Sequence, residues 1–105
     1  MAVFERRQGY WLWRGGPVPP GASGITIGPV VSVRSLDPSA HLLRHEEGHV
    51  RQWRELGAVG FLVRYLAPYL ASRLAGRPHW AAYRRIPLEV QAEWWARTEE
   101  PTSGR

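Results

Sequence analysis

Cysteine and lysine are both missing from this chain of 105 residues, methionine occurs once, and charges or prolines break up its apolar runs. Each absence removes a class of explanation. Without cysteine there is no disulfide and no thiolate, so any metal site must be built from His, Asp or Glu. The most apolar segment, AVGFLVRYLAPYLASRLAG, is interrupted by Arg64, Pro68 and Arg73, which argues against a membrane span and leaves open a peripheral membrane contact. The N-terminal MAVFERRQGYWLWRGG lacks an apolar core followed by a small-residue cleavage site. It does not read as a secretory signal, and a cytoplasmic location is expected.

Positive charge is carried by arginine alone: 14 basic residues against 9 acidic ones give a formal charge of +5. They are scattered from Arg6 to Arg105 without a dense block, which suits a solvated surface better than a nucleic-acid footprint, and no nucleic-acid partner is expected. The size, with no repeat or low-complexity block, fits one compact domain over residues 1–98, followed by a polar, frayed tail over 99–105. In so small a core a bound metal would add noticeably to stability.

Gly9 to Trp13 and Gly24 to Arg34 are rich in aromatic and β-branched residues and flank the turn-rich GGPVPPGAS, so both are expected to be strands or strand pieces. Gly28-Pro29 interrupts the second, pointing to an edge, a bulge or a break between two short strands. An edge strand could receive an extended peptide. Asp37-Pro38 supplies an N-cap and a first-turn proline for a helix running to Gly57. Residues 58–75, with Pro68 in the middle, predict one kinked helix or two short ones. A loop opens at Arg77-Pro78, and a last helix starts near Pro87 and runs through LEVQAEWWAR.

Two of the four histidines stand in HEEGHVRQW, residues 45–53. On a helix His45 and His49 share one face a turn apart, so both imidazoles can meet one metal, while Glu46, turned by about 100°, can act on a water beside it. A chain of this composition carries such a pattern by chance about once in a hundred. The alternative is an exposed, charged helix with two decorative histidines. A catalytic zinc site needs a third protein ligand and an open position. Glu89 and Glu93 lie one turn apart on the last helix, so one could bind metal while the other orients a ligand histidine. His79 is a weaker alternative third ligand. His41 drifts away from the lower pair and reads as a packing or surface residue. The six tryptophans read as core, with an exposed partner patch as the alternative. Gly48 within the helix implies close approach of a neighbouring strand.

HEEGHVRQW, preceded by GITIGPVVSVR and followed by AAYRRIPLEVQA, resembles the gluzincin clan of zinc metallopeptidases, most of all the very small minigluzincins. The resemblance covers residues 24–97. It implies an α+β zincin-like domain, a small twisted sheet packed on an active-site helix with two further helical segments. It also implies one Zn2+ per chain held by His45, His49 and Glu89, with Glu46 as catalytic base and Glu93 supporting a histidine. Three residues depart from related patterns. Leu88 replaces the Asn usual before the glutamate ligand in thermolysin-like enzymes, Glu47 stands where an apolar residue is common, and Gln52 excludes the metzincin extension. Similarity to minigluzincins further implies that the segment after Trp95 folds back over the zinc.

The expected chemistry is peptide-bond hydrolysis in a peptide or protein substrate: zinc activates a water whose proton Glu46 takes and later passes to the leaving amine. Tyr83 and His79, before the last helix, are the nearest candidates for an added donor to the developing oxyanion. The rival from another class is a zinc-stabilised interaction module that hydrolyses nothing.

Overall fold

Along Tyr10–Arg14 the side chains of Tyr10 and Leu12 turn inward, the period-two pattern of a half-buried strand. The computed structural model describes residues 3–98 and builds a four-stranded sheet in the order β1-β2-β4-β3, from β1 (Val3–Arg7), β2 (Tyr10–Arg14), β3 (Gly24–Ile27) and β4 (Val30–Val33). β1 and β2 are antiparallel, β2 and β4 parallel, and β3 and β4 antiparallel, with Ile27 facing Val30 across the turn. Together with three helices this is the α+β class expected from the sequence. The expected tail, and any fold-back by it, lie outside the described residues.

Gly28-Pro29 resolves the interrupted strand as a hairpin: Gly28 adopts φ 58° at the first central position, which a side chain would disfavour, and Pro29 suits the second. Among the described residues β3 pairs on one side only, leaving its other edge without a strand. β1 was not expected, because three of the five residues in VFERR are charged. Its Glu5 reaches Arg14 Nε across the hairpin at 2.7 Å, and Phe4 stacks on Trp11 with centroids 5.1 Å apart.

Helix α1 (Ala40–Leu74) begins two residues later than the cap read from the sequence. Ser39 is the N-cap, its Oγ accepting from the Leu42 N–H at 3.0 Å, and Asp37-Pro38 lies ahead of the helix. Both Asp37 and Ser39 are good capping residues; Ser39 has the extended backbone that an N-cap needs. α1 is two arms, 40–56 and 58–74, meeting at Gly57, where φ 76° and ψ 170° form a conformation essentially reserved for glycine. Pro68 does not break the second arm; Gly57 is the one non-helical residue inside α1. Residues expected to be loop form the short helix α2 (His79–Arg84), followed by α3 (Pro87–Thr98).

The core has two parts. Tyr10, Leu12, Val31, Val33 and Val50 join the sheet to the first arm, with Leu42 and Leu43 against them. Phe61, Ile86 and Leu88 join the second arm to α3, flanked by Trp53, Leu56, Tyr65 and Tyr69. None of the six tryptophans is fully buried, and Trp80 and Trp94 are exposed, so the expected tryptophan core is instead built from smaller aliphatics and Tyr10, Phe61 and Ala residues.

Candidate metal centre

The first arm of α1 buries polar side chains where a core-facing helix ordinarily buries apolar ones: Glu46 and His49 are each 5% exposed and Gln52 1%. Gly48 makes this arrangement possible. A methyl group there would stand 3.1 Å from the Trp95 ring and 3.2 Å from Ala92 Cα, so α3 packs against the bare backbone and brings Glu89 to the histidines. The close neighbour is thus a helix and not the expected strand.

His45, His49 and Glu89 offer ligand atoms that all lie within 4.8 Å of one another, a group that could hold a metal ion. Glu89 Oε1 is 2.8 Å from His45 Nε2 and 3.2 Å from His49 Nε2. Behind each imidazole stands a partner that fixes its tautomer. His45 Nδ1 lies 3.0 Å from Glu93 Oε1, an acceptor, so Nδ1 carries the proton and Nε2 faces the cluster. His49 Nδ1 lies 2.8 Å from Gln52 Oε1, whose orientation is set because Gln52 Nε2 donates to Leu88 O and Gln91 Oε1. His49 Nε2 is therefore left as a buried lone pair with no hydrogen-bond partner, which is costly unless a cation occupies the cluster. This orphaned nitrogen, with two imidazoles, a carboxylate and no thiolate, fits a borderline divalent metal.

The electrostatics point the same way. Burial works against charge on His45, but hydrogen bonding to Glu89 and then Glu93 outweighs it and raises its pKa to about 9. Burial would raise Glu89, yet the hydrogen bond from His45, the neighbouring His49 imidazole and the Tyr65 hydroxyl hold its carboxyl well below the usual range. Glu93 is lowered as well: burial opposes, while Arg97, His45 and His41 favour the anion. His41 is an exposed partner of Glu93, with Nε2 3.0 Å from Oε2.

Glu46 lies outside the ligand set. Thr26 Oγ1, on β3, donates to its Oε1 at 2.7 Å, and a side chain at Gly24 would press within 3.1 Å of Oε2. Burial raises its pKa, opposed by the Thr26 hydrogen bond. Glu47 points to the sheet and accepts from Tyr10 Oη at 2.5 Å.

Of the two donors proposed from sequence, Tyr83 belongs to this neighbourhood: burial and the adjacent Glu89 push its phenol above the usual range. His79 does not join the group; its Nδ1 is 2.8 Å from the Tyr69 hydroxyl, and it is exposed. Sequence reasoning missed Tyr65, whose hydroxyl donates to Glu89 Oε2. Its pKa is raised by burial and then by Glu89. Thr26 and Gln52 were missed as partners too. The spacing of Phe61, Tyr65 and Tyr69 could have flagged an inward face, but only the turn at Gly57 aims it at His49, whose ring is 6.0 Å from Phe61 and 6.1 Å from Tyr65. No protein-family profile, characterised protein or solved structure matches the chain.

Proposed function

We propose that the chain is a zinc-dependent metallopeptidase of gluzincin type, with His45, His49 and Glu89 as ligands and Glu46 as general base. Two imidazoles and one carboxylate are the ligand set of catalytic zinc in several peptidases, and three protein ligands leave a position open. When bound there, zinc supplies a Lewis acid for the peptide carbonyl and lowers the pKa of water.

The observation that carries the reading is the hydrogen bond from Thr26 to Glu46. A metal that only braced the fold would need no buried carboxylate beside its ligands. Here one is held by a strand whose outer edge, among the described residues, pairs with no other strand. A peptide pairing in extended form with β3 would run past Glu46. Glu46, its proton affinity raised by burial, takes a proton from water and returns it to the leaving amine. Tyr65, whose hydroxyl already meets Glu89, and Tyr83, 40% exposed, are the neutral side chains we assign as donors to a developing oxyanion.

The test is cleavage of casein and a peptide library by zinc-loaded wild type and Glu46→Gln, with zinc content measured on the same samples. The reading expects Glu46→Gln to keep its zinc and lose activity by about 10²- to 10⁴-fold. Zinc in both proteins with cleavage by neither would replace it with the non-catalytic interaction module.

A further inference from the structure

The second arm of α1 is apolar on two faces whose centres are about 130° apart around the helix. Phe61, Tyr65, Tyr69 and Ser72 recur at helical spacing and form the side turned toward α2, α3 and the metal centre. Beside it, Val59, Leu62, Val63, Leu66, Leu70 and Leu74 fall within a sector about 120° wide and are all solvent-exposed, from 45% for Leu62 to 89% for Leu74. Single exposed leucines are ordinary; a continuous stripe over four turns marks a contact surface.

Charge decides what the stripe contacts. Between Glu55 and Glu89 the chain has no acidic residue, and the same stretch contains Arg64, Arg73, Arg77, Arg84 and Arg85. The Arg–carboxylate pairs among the described residues lie outside it. Trp80, also exposed, sits under the Arg84 guanidinium at 5.5 Å. A second copy docking stripe to stripe would bring arginine to arginine with no carboxylate to pair them. The stripe is also the convex ridge of one helix and not a groove for a peptide. An exposed leucine and valine stripe with Arg73 inside it, and further arginines and an exposed aromatic on the same acid-free stretch, are the composition of a helix that lies in a lipid–water interface. Among the described residues no helix is long and apolar enough to cross a membrane, so such a helix would lie on the surface.

We propose that this arm docks on an anionic membrane surface, inserting the Val59 to Leu74 stripe at the headgroup boundary while the arginines engage lipid phosphates. Arg73 stands within the stripe, its guanidinium donating to the Tyr69 hydroxyl at 3.3 Å on the edge nearest the aromatic face. The metal ligands meet the Phe61–Tyr65–Tyr69 face, whose centre is turned about 130° from that of the stripe. The surface is separate from the metal ligands, and its test does not depend on the peptidase reading.

The experiment is cosedimentation of the full chain with phosphatidylcholine vesicles and with vesicles containing about 30% phosphatidylglycerol, at low and high salt. Wild type is expected to sediment with the anionic vesicles, roughly tenfold more weakly with phosphatidylcholine alone, and less at high salt. Leu66→Glu with Leu70→Glu should stay in the supernatant while keeping the wild-type circular dichroism and melting temperature, since both positions are exposed. Arg64→Gln with Arg77→Gln should weaken anionic binding several-fold. Wild type that ignores anionic vesicles, or a double-Glu variant that binds them as well as wild type, would overturn the proposal. So would sedimentation velocity showing a dimer that the double-Glu variant dissolves without any vesicle binding, which would assign the stripe to a second copy.

Discussion

The first arm of α1 buries Glu46, His49 and Gln52, whereas the second, across Gly57, exposes Val59, Leu66, Leu70 and Leu74. Each arm inverts the ordinary partition of side chains, in opposite directions. Polar groups stay inside the first arm because each has a partner or, at His49 Nε2, a place for a cation. Apolar groups stay outside the second because its inward face is already filled by Phe61, Tyr65 and Tyr69. One helix thus carries a buried cluster that could hold a metal ion and, on its other half, an exposed apolar stripe.

The largest disturbance of this contrast is Glu89→Ala. It strands the buried imidazoles in the metal-free protein, and a loss of about 3 kcal/mol is expected in urea unfolding. An unchanged midpoint would mean that the first arm does not need its acidic partner.

Next comes pH. In the metal-free protein the His45 pKa of about 9 exceeds its ordinary 6.5, so the stabilisation it contributes is complete below pH 6.5 and lost as pH rises through 9. Glu89 is depressed below 4.5, so its share is present above that value and lost only in acid. Metal-free unfolding free energy should therefore be highest between about pH 4.5 and 6.5 and fall toward pH 9, by on the order of 2 kcal/mol after allowing for partial solvent access, as urea unfolding across that range would show. Zinc competes with the His45 proton, so the loaded protein should show the reverse slope, gaining stability from pH 5 to 7. Parallel slopes with and without zinc would argue against His45 as a ligand.

The joint between the arms is tested by Gly57→Ala. Nothing lies within 4 Å of the added methyl, so the cost is backbone strain alone, about 1–2 kcal/mol, read as a fall in melting temperature. Smallest is Tyr65→Phe, which removes the second arm's hydroxyl from Glu89. Zinc affinity should drop about tenfold in a chelator competition while the fold is retained.

How much of this was legible in the sequence depended on whether the information was local. The i, i+4 spacing of His45 and His49, and of Glu89 and Glu93, is a property of single helices. It was readable before any tertiary contact was known, whereas Gly28-Pro29 was readable only as an interruption, with edge, bulge and break left open until the pairing of Ile27 with Val30 made it a hairpin. Thr26, Gln52 and Tyr65 were not readable as site residues. Each reaches the centre through a direction of packing: β3 across α1, α3 over Gly48, and the second arm back over His49 from a positive φ. Gly57 was recognised as an end, but a glycine marks where a helix stops, not where the next one goes. β1 was hidden because its charges are paired across a hairpin, and His79 misled because its neighbour in space is Tyr69.

We propose that half-buried His45, buried His49 and Glu89 of α3 form one zinc centre. X-ray absorption at the zinc edge, on untagged protein dialysed against zinc and then against buffer, tests it most directly. The account predicts one zinc per chain with two imidazole nitrogens and oxygen ligands near 2.0–2.1 Å, and loss of that signal in Glu89→Ala. Zinc that washes away, or a shell without imidazole, would contradict it.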